Sequence, residues 1–337
     1  MKRTLPVLAV ALAMLSMSLA TAIAHSPTIP GENESLENAQ LVREPTKSWA
    51  IYSKVRMAGE ARYFKLELKS GQRLYAGVFL HSDTGFLPRI AAMGPGFVND
   101  SELPSFVEVP PGYGHLVVNG TLKGRDYEPF TPASYFQISN VDITVNRTAT
   151  YYIAVFEPDR GGDFGIAIGY VESFTAEVWL LMPFSLIKIH LWEGQPLWLI
   201  LAPLVLTLAV GIIAIVYRGR LRKQWPLSPR FWLGAAVAML LIGTGAMTAL
   251  QMGMALVVSE NPAGGVVTAM FAAIPLALGV WALRQAASEE RGIGARIWMA
   301  LIGALGLLFW GGLVIGPVLA FAYALLPNIK SGRYHES

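Results

Sequence analysis

The hydrophobic pattern changes three times along the chain, and each stretch predicts a different kind of element. Met1-Lys2-Arg3 precedes a small and apolar run from Leu5 to Ala20 and then Ala22-Ile23-Ala24. A charged start, an apolar stretch and a small-x-small site read as a secretory signal peptide over 1–24, cleaved after Ala24; the alternative is an uncleaved anchor. Either way the next segment lies outside the cytoplasm. Residues 25–48 are polar and carry Pro and Gly, which predicts a linker. From Trp49 onward short β-rich runs alternate with turn residues, and strands are predicted at 49–56, 61–69, 73–80, 87–93, 105–110, 115–119, 134–137, 141–145, 149–156 and 163–171. In the second of these, Phe64, Leu66 and Leu68 fall on one face and Lys65, Glu67 and Lys69 on the other, as a half-buried strand requires. Glycines in the run from Glu157 to Asp163 predict that the last two strands form a hairpin. Many short strands and no long amphipathic helix predict an extracytoplasmic antiparallel β-sandwich or jelly roll over 49–172.

After Glu172 the pattern becomes one of long uncharged runs: Pro196–Tyr217, Phe231–Val258, Ala263–Ala282 and Ile297–Leu326. Each supplies the roughly 20 helical residues that a hydrocarbon core about 30 Å thick needs, so a four-helix transmembrane region is predicted over 196–326. Segment 173–195 is apolar at Val178–Met182 but interrupted by Glu177, Lys188, His190 and Glu193, which suits an interfacial helix or tight linker with Trp179, Trp192 and Trp198 at headgroup depth. With the β domain outside, Arg218, Arg220, Arg222, Lys223, Arg230, Arg284, Arg291 and Arg296 fall in the inner loops, while Ser259-Glu260-Asn261-Pro262 is an outer loop without a basic residue. Lys330 and Arg333 then lie in an outer C-terminal tail, 327–337, and the positive-inside rule is satisfied. The expected location is the cell membrane, multi-pass, with both ends of the mature chain extracytoplasmic.

Composition agrees with this division. The 337 residues are 53% hydrophobic and only 15% charged, which two soluble domains would not show. The net charge of +3 suggests nucleic acid until it is divided by region. Residues 26–175 carry 13 Lys+Arg against 17 Asp+Glu, and the basic excess belongs to the signal and membrane parts, so nucleic acid is discarded as a partner. Zero cysteines exclude a disulfide scaffold, a zinc-thiolate site, an iron–sulfur cluster and thiol catalysis.

The motifs are few. N-x-S/T sequons occur at Asn33, Asn99, Asn119 and Asn146, all in the segment placed outside, which predicts an exported glycoprotein surface where the source has the machinery. The membrane helices lack Asp, Glu, Lys, Arg and His, which removes most support for pumps, antiporters and cytochromes. Their polar remainder is Thr207, Thr244, Thr248, Gln251 and Thr268, residues that more often bond to backbone than line a pathway. Gly312 and Gly316 form a GxxxG that would let the last helix pack closely, and Pro317 is expected to kink that helix. Cleavage after Ala24 would expose His25, whose α-amino and ring nitrogens chelate Cu(II) in a histidine brace if His81 or His115 supplies a further imidazole; the plainer reading is a solvated terminus. Asp159 and Asp163 are a weaker Ca²⁺ candidate, and a solvated turn explains them as well. No nucleophile elbow, phosphate-binding Gly loop or HExxH is present. No catalytic residue and no resident cofactor beyond the copper reading are therefore assigned.

Two strand motifs carry a resemblance. Ala61-Arg62-Tyr63-Phe64-Lys65-Leu66-Glu67-Leu68-Lys69-Ser70-Gly71-Gln72 and Thr148-Ala149-Thr150-Tyr151-Tyr152-Ile153-Ala154-Val155 are similar to the strand-and-turn and the later strand of pre-peptidase C-terminal domains, β-sandwich modules of exported bacterial and archaeal proteins, and Asn38-Ala39 is similar to their opening element. Ala61 and Arg62 stand where that family usually has an acidic residue. The likeness spans at most 36–170, and it implies a folding, binding or spacer module without carrying over a catalytic residue. Three functions follow as expectations. The first is a binding or interaction module for a protein partner or glycan, anchored in membrane lipid by its helices. The second is a copper-binding or copper-enzyme subunit, and the third a transporter of a neutral or lipid-like solute.

Overall fold

The computed structural model describes residues 26–28, 30–173, 175–222, 228–288 and 292–326. The expected signal peptide, His25 and the C-terminal tail lie outside them. Among the described residues eleven strands are present: β1 (Ser26–Thr28), β2 (Gln40–Leu41), β3 (Trp49–Val55), β4 (Ala61–Leu68), β5 (Arg73–Leu80), β6 (Arg89–Gly94), β7 (Gly114–Val118), β8 (Arg125–Glu128), β9 (Ala133–Thr144), β10 (Ala149–Phe156) and β11 (Gly162–Ile168). They form two sheets, β1-β3-β11-β5-β9-β8 and β2-β4-β10-β6-β7. Both sheets are mixed rather than antiparallel throughout, because β1 runs parallel to β3 and β2 parallel to β4 at the edges. These edge strands come from the stretch expected to be a linker, which packs instead: Asn33, Lys47 and Ser48 are buried within it.

Alternation explains the core. Leu74, Ala76 and Val78 of β5 and Phe164, Ile166 and Ile168 of β11 share one buried cluster with Phe64, Leu66 and Leu68 of β4 and Tyr151, Ile153 and Val155 of β10. The two sheets thus close on each other through every second side chain, the arrangement of a sandwich. The two motifs carrying the resemblance are neighbours, since β10 pairs with β4 from Ala149↔Leu68 to Phe156↔Ala61. Gly71 supplies the positive φ (86°) that the turn after β4 needs.

Three local expectations fail for identifiable reasons. Residues 105–110 form no strand. Bracketed by Pro104 and by Pro110 and Pro111, which lack donors for a ladder, they lie over the second sheet's other face, where Phe106, Val107 and Val109 cover Tyr63, Met93 and Phe156. Runs 134–137 and 141–145 belong to one strand, β9, whose pairing with β5 shifts register between Val78 and Phe79. The last two strands are not a hairpin. β10 and β11 lie in different sheets, and the turn between them crosses from one to the other, with Glu157 accepting the Asp159 and Arg160 backbone N–H groups at 2.9 and 2.6 Å.

Six α-helices follow among the described residues: α1 (Ala176–Trp192), α2 (Leu197–Arg222), α3 (Pro229–Val258), α4 (Gly265–Ala287), α5 (Ile293–Leu308) and α6 (Ile315–Leu325). The segment expected to be interfacial contains α1, which runs unbroken through Pro183. Three helical stretches, Leu197–Leu221, Pro229–Val258 and Pro262–Ala287, are long and apolar enough to cross a membrane. The expected fourth is broken. α5 and α6 meet at a bend of 120°, and the break runs through Trp310, Gly312, Leu313 and Val314, all at positive φ. Pro317 is not the hinge. It sits in the first turn of α6, where its missing N–H leaves no intrahelical bond unmade.

The chain divides into two compact units, one taking in the strands together with Met254–Val267, the other Leu180–Gly253 and the residues from Thr268 on.

Candidate functional site

A polar groove lies on the first unit, on the outer surface of the first sheet. Strand alternation puts Tyr75 and Gly77 of β5 on this surface while Leu74, Ala76 and Val78 point into the core. Gln137 and Asn140 of β9 are exposed beside them, and Asp126 of β8 closes the end of the sheet. Gly77 has no side chain, and the Tyr75 hydroxyl lies over the space so left; a Cβ there would meet it at 3.4 Å. The segment before β8 extends along β9, with Thr121 N–H donating to Ile138 O (3.1 Å) and Lys123 N–H to Gln137 O (3.2 Å), which brings Lys123 and Gly124 to the rim.

The far wall comes from a remote part of the chain. β8 is an edge strand, and the turn between α3 and α4 covers it: Glu260 N–H donates to Arg125 O at 2.9 Å, Ser259 Oγ donates to the same carbonyl at 3.4 Å, and Asn261 forms a parallel bridge with Asp126. Gly124 makes room for the Glu260 carboxylate, with which any Cβ at that position would collide. The result is a cavity of about 480 Å³ lined by Tyr75, Gly77, Lys123, Gly124, Asp126, Gln137, Ser139, Asn140, Glu260 and Asn261. The Ser139 hydroxyl is buried without a hydrogen-bond partner. Amides, hydroxyls, two carboxylates and one ammonium converge here, a set that can both donate to and accept from a hydroxyl-rich ligand.

Arg125 is held by its guanidinium, which donates to His81 O (2.9 Å) and lies 4.3 Å from the Phe136 ring centre. Three residues on, Glu128 accepts the Phe130 N–H at 3.2 Å, yet burial first, and the nearby Glu172 carboxylate second, push its carboxyl up to about 7. Beside the groove Arg73 and Asp142 form a bidentate pair (3.0 and 2.5 Å) that holds the Asp142 carboxyl below its ordinary range.

The residues singled out from sequence lie elsewhere. His81 follows β5 and His115 is buried on β7 in the other sheet, where its Nε2 meets Ser101 O at 2.7 Å and so carries the proton. Among the described residues no group of three or more His, Cys, Asp or Glu side chains is placed to hold a metal. Asp163 pairs with Lys54 at 3.6 Å. Of the sequons, Asn99, Asn119 and Asn146 are exposed, but Asn33 is 1% exposed and its amide nitrogen, the atom a glycan would take, donates to Tyr63 O at 3.1 Å. Gly312 and Gly316 do not share a helical face, because Gly312 lies in the break before α6; both instead face Leu240 of α3.

Sequence reasoning missed the groove because its residues are ordinary polar ones on different strands, and because β8, four charged or aromatic residues long, has no readable alternation. The one available signal was the polar stretch Ser259-Glu260-Asn261-Pro262 between two long apolar runs.

The second unit holds a polar cluster of its own. His190 Nδ1 meets Glu193 Oε2 at 2.8 Å, and Gln195 and Gln251 exchange amide hydrogen bonds at 3.0 and 2.9 Å. Thr207, Thr244 and Thr248 each donate to a carbonyl one turn back in their own helix, at 2.7, 3.0 and 3.1 Å. No protein-family model matches the sequence, and no curated protein matches it significantly.

Proposed function

We propose that this is a multi-pass cell-surface protein whose β-sandwich is a saccharide-binding module anchored in the membrane by its helices. The observation that carries the reading is the polar groove, where the amides of Gln137, Asn140 and Asn261 converge with Asp126, Glu260, Lys123 and the Tyr75 ring. A sugar presents alternating donors and acceptors along a weakly apolar face, and this lining answers both. The outward placement of the module is supported by the basic residues gathered in the loops after α2 and α4, by the exposed sequons, and by the bond between Glu260 and Arg125. That bond puts the basic-free turn beside the β strands, as the positive-inside reading requires. The threonines of the helices bond within their own backbone, which favours an anchor over a transporter.

The test is a screen of neutral and amino-sugar glycans against the full chain in nanodiscs, with titration of any hit on Asp126→Asn and Asn140→Ala. Either substitution is expected to weaken binding about tenfold or more, the loss of one charge-assisted or one bidentate hydrogen bond. A hit that binds both variants as tightly as the unaltered protein, or the lack of any hit, rejects the saccharide reading.

A further inference from the structure

We infer that the last apolar run is a re-entrant hairpin rather than a fourth span, so that the chain leaves the membrane on the face carrying the basic loops. At 1.5 Å per residue α5 reaches about 24 Å and α6 about 16 Å, so neither crosses a hydrocarbon core of about 30 Å alone. Laid end to end they would cross, but the 120° bend turns α6 back along α5. The side chains record an antiparallel register. Arg296 Nε, in the first turn of α5, donates to Ala324 O in the last turn of α6 at 2.5 Å. Further in, a Cβ on Gly303 would meet Ala320 at 3.2 Å, and one on Gly306 would meet Pro317 at 3.2 Å.

Neighbouring helices fix the level of each end. The open end lies where α3 begins and α4 finishes: Arg230 stacks 4.6 Å from the Tyr323 ring centre, and Trp298 packs on Trp281 at 4.8 Å. The closed end reaches the middle of α3, where Thr244 Oγ1 accepts the Gly312 N–H at 2.8 Å. Non-helical backbone at membrane depth survives only where protein buries it and satisfies its polar groups; at this tip Gly311 and Gly312 are buried and Thr244 takes the Gly312 N–H. Three spans in place of four put Lys330 and Arg333 with the other eight basic residues and leave Lys188 of α1 as the one Lys or Arg on the opposite face after the β strands.

The chain has no cysteine, so single substitutions report position directly. Thr84→Cys, Ser228→Cys and Ser331→Cys in the full protein are treated with a membrane-impermeant maleimide in intact and in permeabilised cells. Ser331→Cys and Ser228→Cys are expected to behave alike, both protected until permeabilisation, while Thr84→Cys reacts in intact cells. Labelling of Ser331→Cys alongside Thr84→Cys, with Ser228→Cys protected, overturns the hairpin. Should all three patterns invert together, the hairpin stands and only the outward orientation of the β module fails.

Discussion

Glu128 is a residue whose ionisation the fold opposes. Its carboxyl titrates near 7 in the folded protein against about 4.5 in a solvated chain, because burial and the Glu172 carboxylate both disfavour the anion. Between those two values the folded state keeps a proton that the unfolded chain has released, so stability falls as pH rises through the window and is highest, for this group, below it. The upper limit is about 1.4 kcal/mol per pH unit. Glu128→Gln, neutral at every pH, is expected to raise the melting temperature at pH 8 and to leave it nearly unchanged at pH 4.5. An equal shift at both values would mean that the carboxyl is not held protonated. Glu34 has the opposite sign. Burial works against its anion, but the guanidinium of Arg62, itself 4% exposed, donates to it and holds its pKa below the ordinary value. Its contribution is therefore present above about pH 4.5 and lost as pH falls through the lowered value. Arg62 joins Glu34 to Glu60 and to the Lys54 carbonyl.

At the scale of elements, the break between α5 and α6 depends on one hydroxyl. Thr244 Oγ1 both donates to the Leu240 carbonyl and accepts the Gly312 N–H, whereas Thr248 Oγ1 donates to the Thr244 carbonyl of its own helix. Thr244→Val keeps the shape and strands a buried N–H, a loss of about 1–3 kcal/mol, while Thr248→Val removes a bond within its own helix and should cost less. Thermal unfolding of the two variants in one detergent checks the order, and equal melting temperatures would remove Thr244 as the anchor of the tip. The break was invisible in the sequence because apolarity measures length and not direction: Ile297–Leu326 is one uninterrupted run whichever way its axis turns, and two of the residues at positive φ, Leu313 and Val314, are ones that rarely adopt it. Where a run rich in apolar and aromatic residues lies unbroken between turn residues, reading was direct, and β3, β4, β5, β10 and β11 lie within a few residues of expectation. Where it does not, reading failed. Asn140 and the register shift split β9, prolines disguised the cover over Tyr63, and the turn at Glu157 could not say whether the chain would stay in its sheet. The groove was less legible still, since it joins β5 to the distant β8 and β9 and to a turn further along the chain again.

Over the whole molecule, the division between a β-rich part and a helical part is not a cut in the chain at residue 172. The buried cluster between the sheets draws only on residues from Val42 to Ile168, so the sandwich contains its own core. The edge at β8 does not, because its outward Arg125 carbonyl is taken by Glu260 and Ser259, and Gly264 lies against Tyr127 and Pro129. An uncovered strand edge frays or seeks another chain to pair with. A fragment spanning 26–172 is therefore expected to show a β-type circular dichroism spectrum and a cooperative melt, because the main cluster is intact. Its groove would lack Glu260 and Asn261, and amide exchange at 125–128 should be faster than in the full protein while exchange in β5 and β10 stays slow. Exchange reports this cleanly, since local opening at an edge leaves the global unfolding free energy of the central strands unchanged. A fragment that fails to fold would show that the helices complete the core. A folded fragment with β8 as protected as in the full chain would show that the Ser259–Asn261 turn rests on the strand without stabilising it.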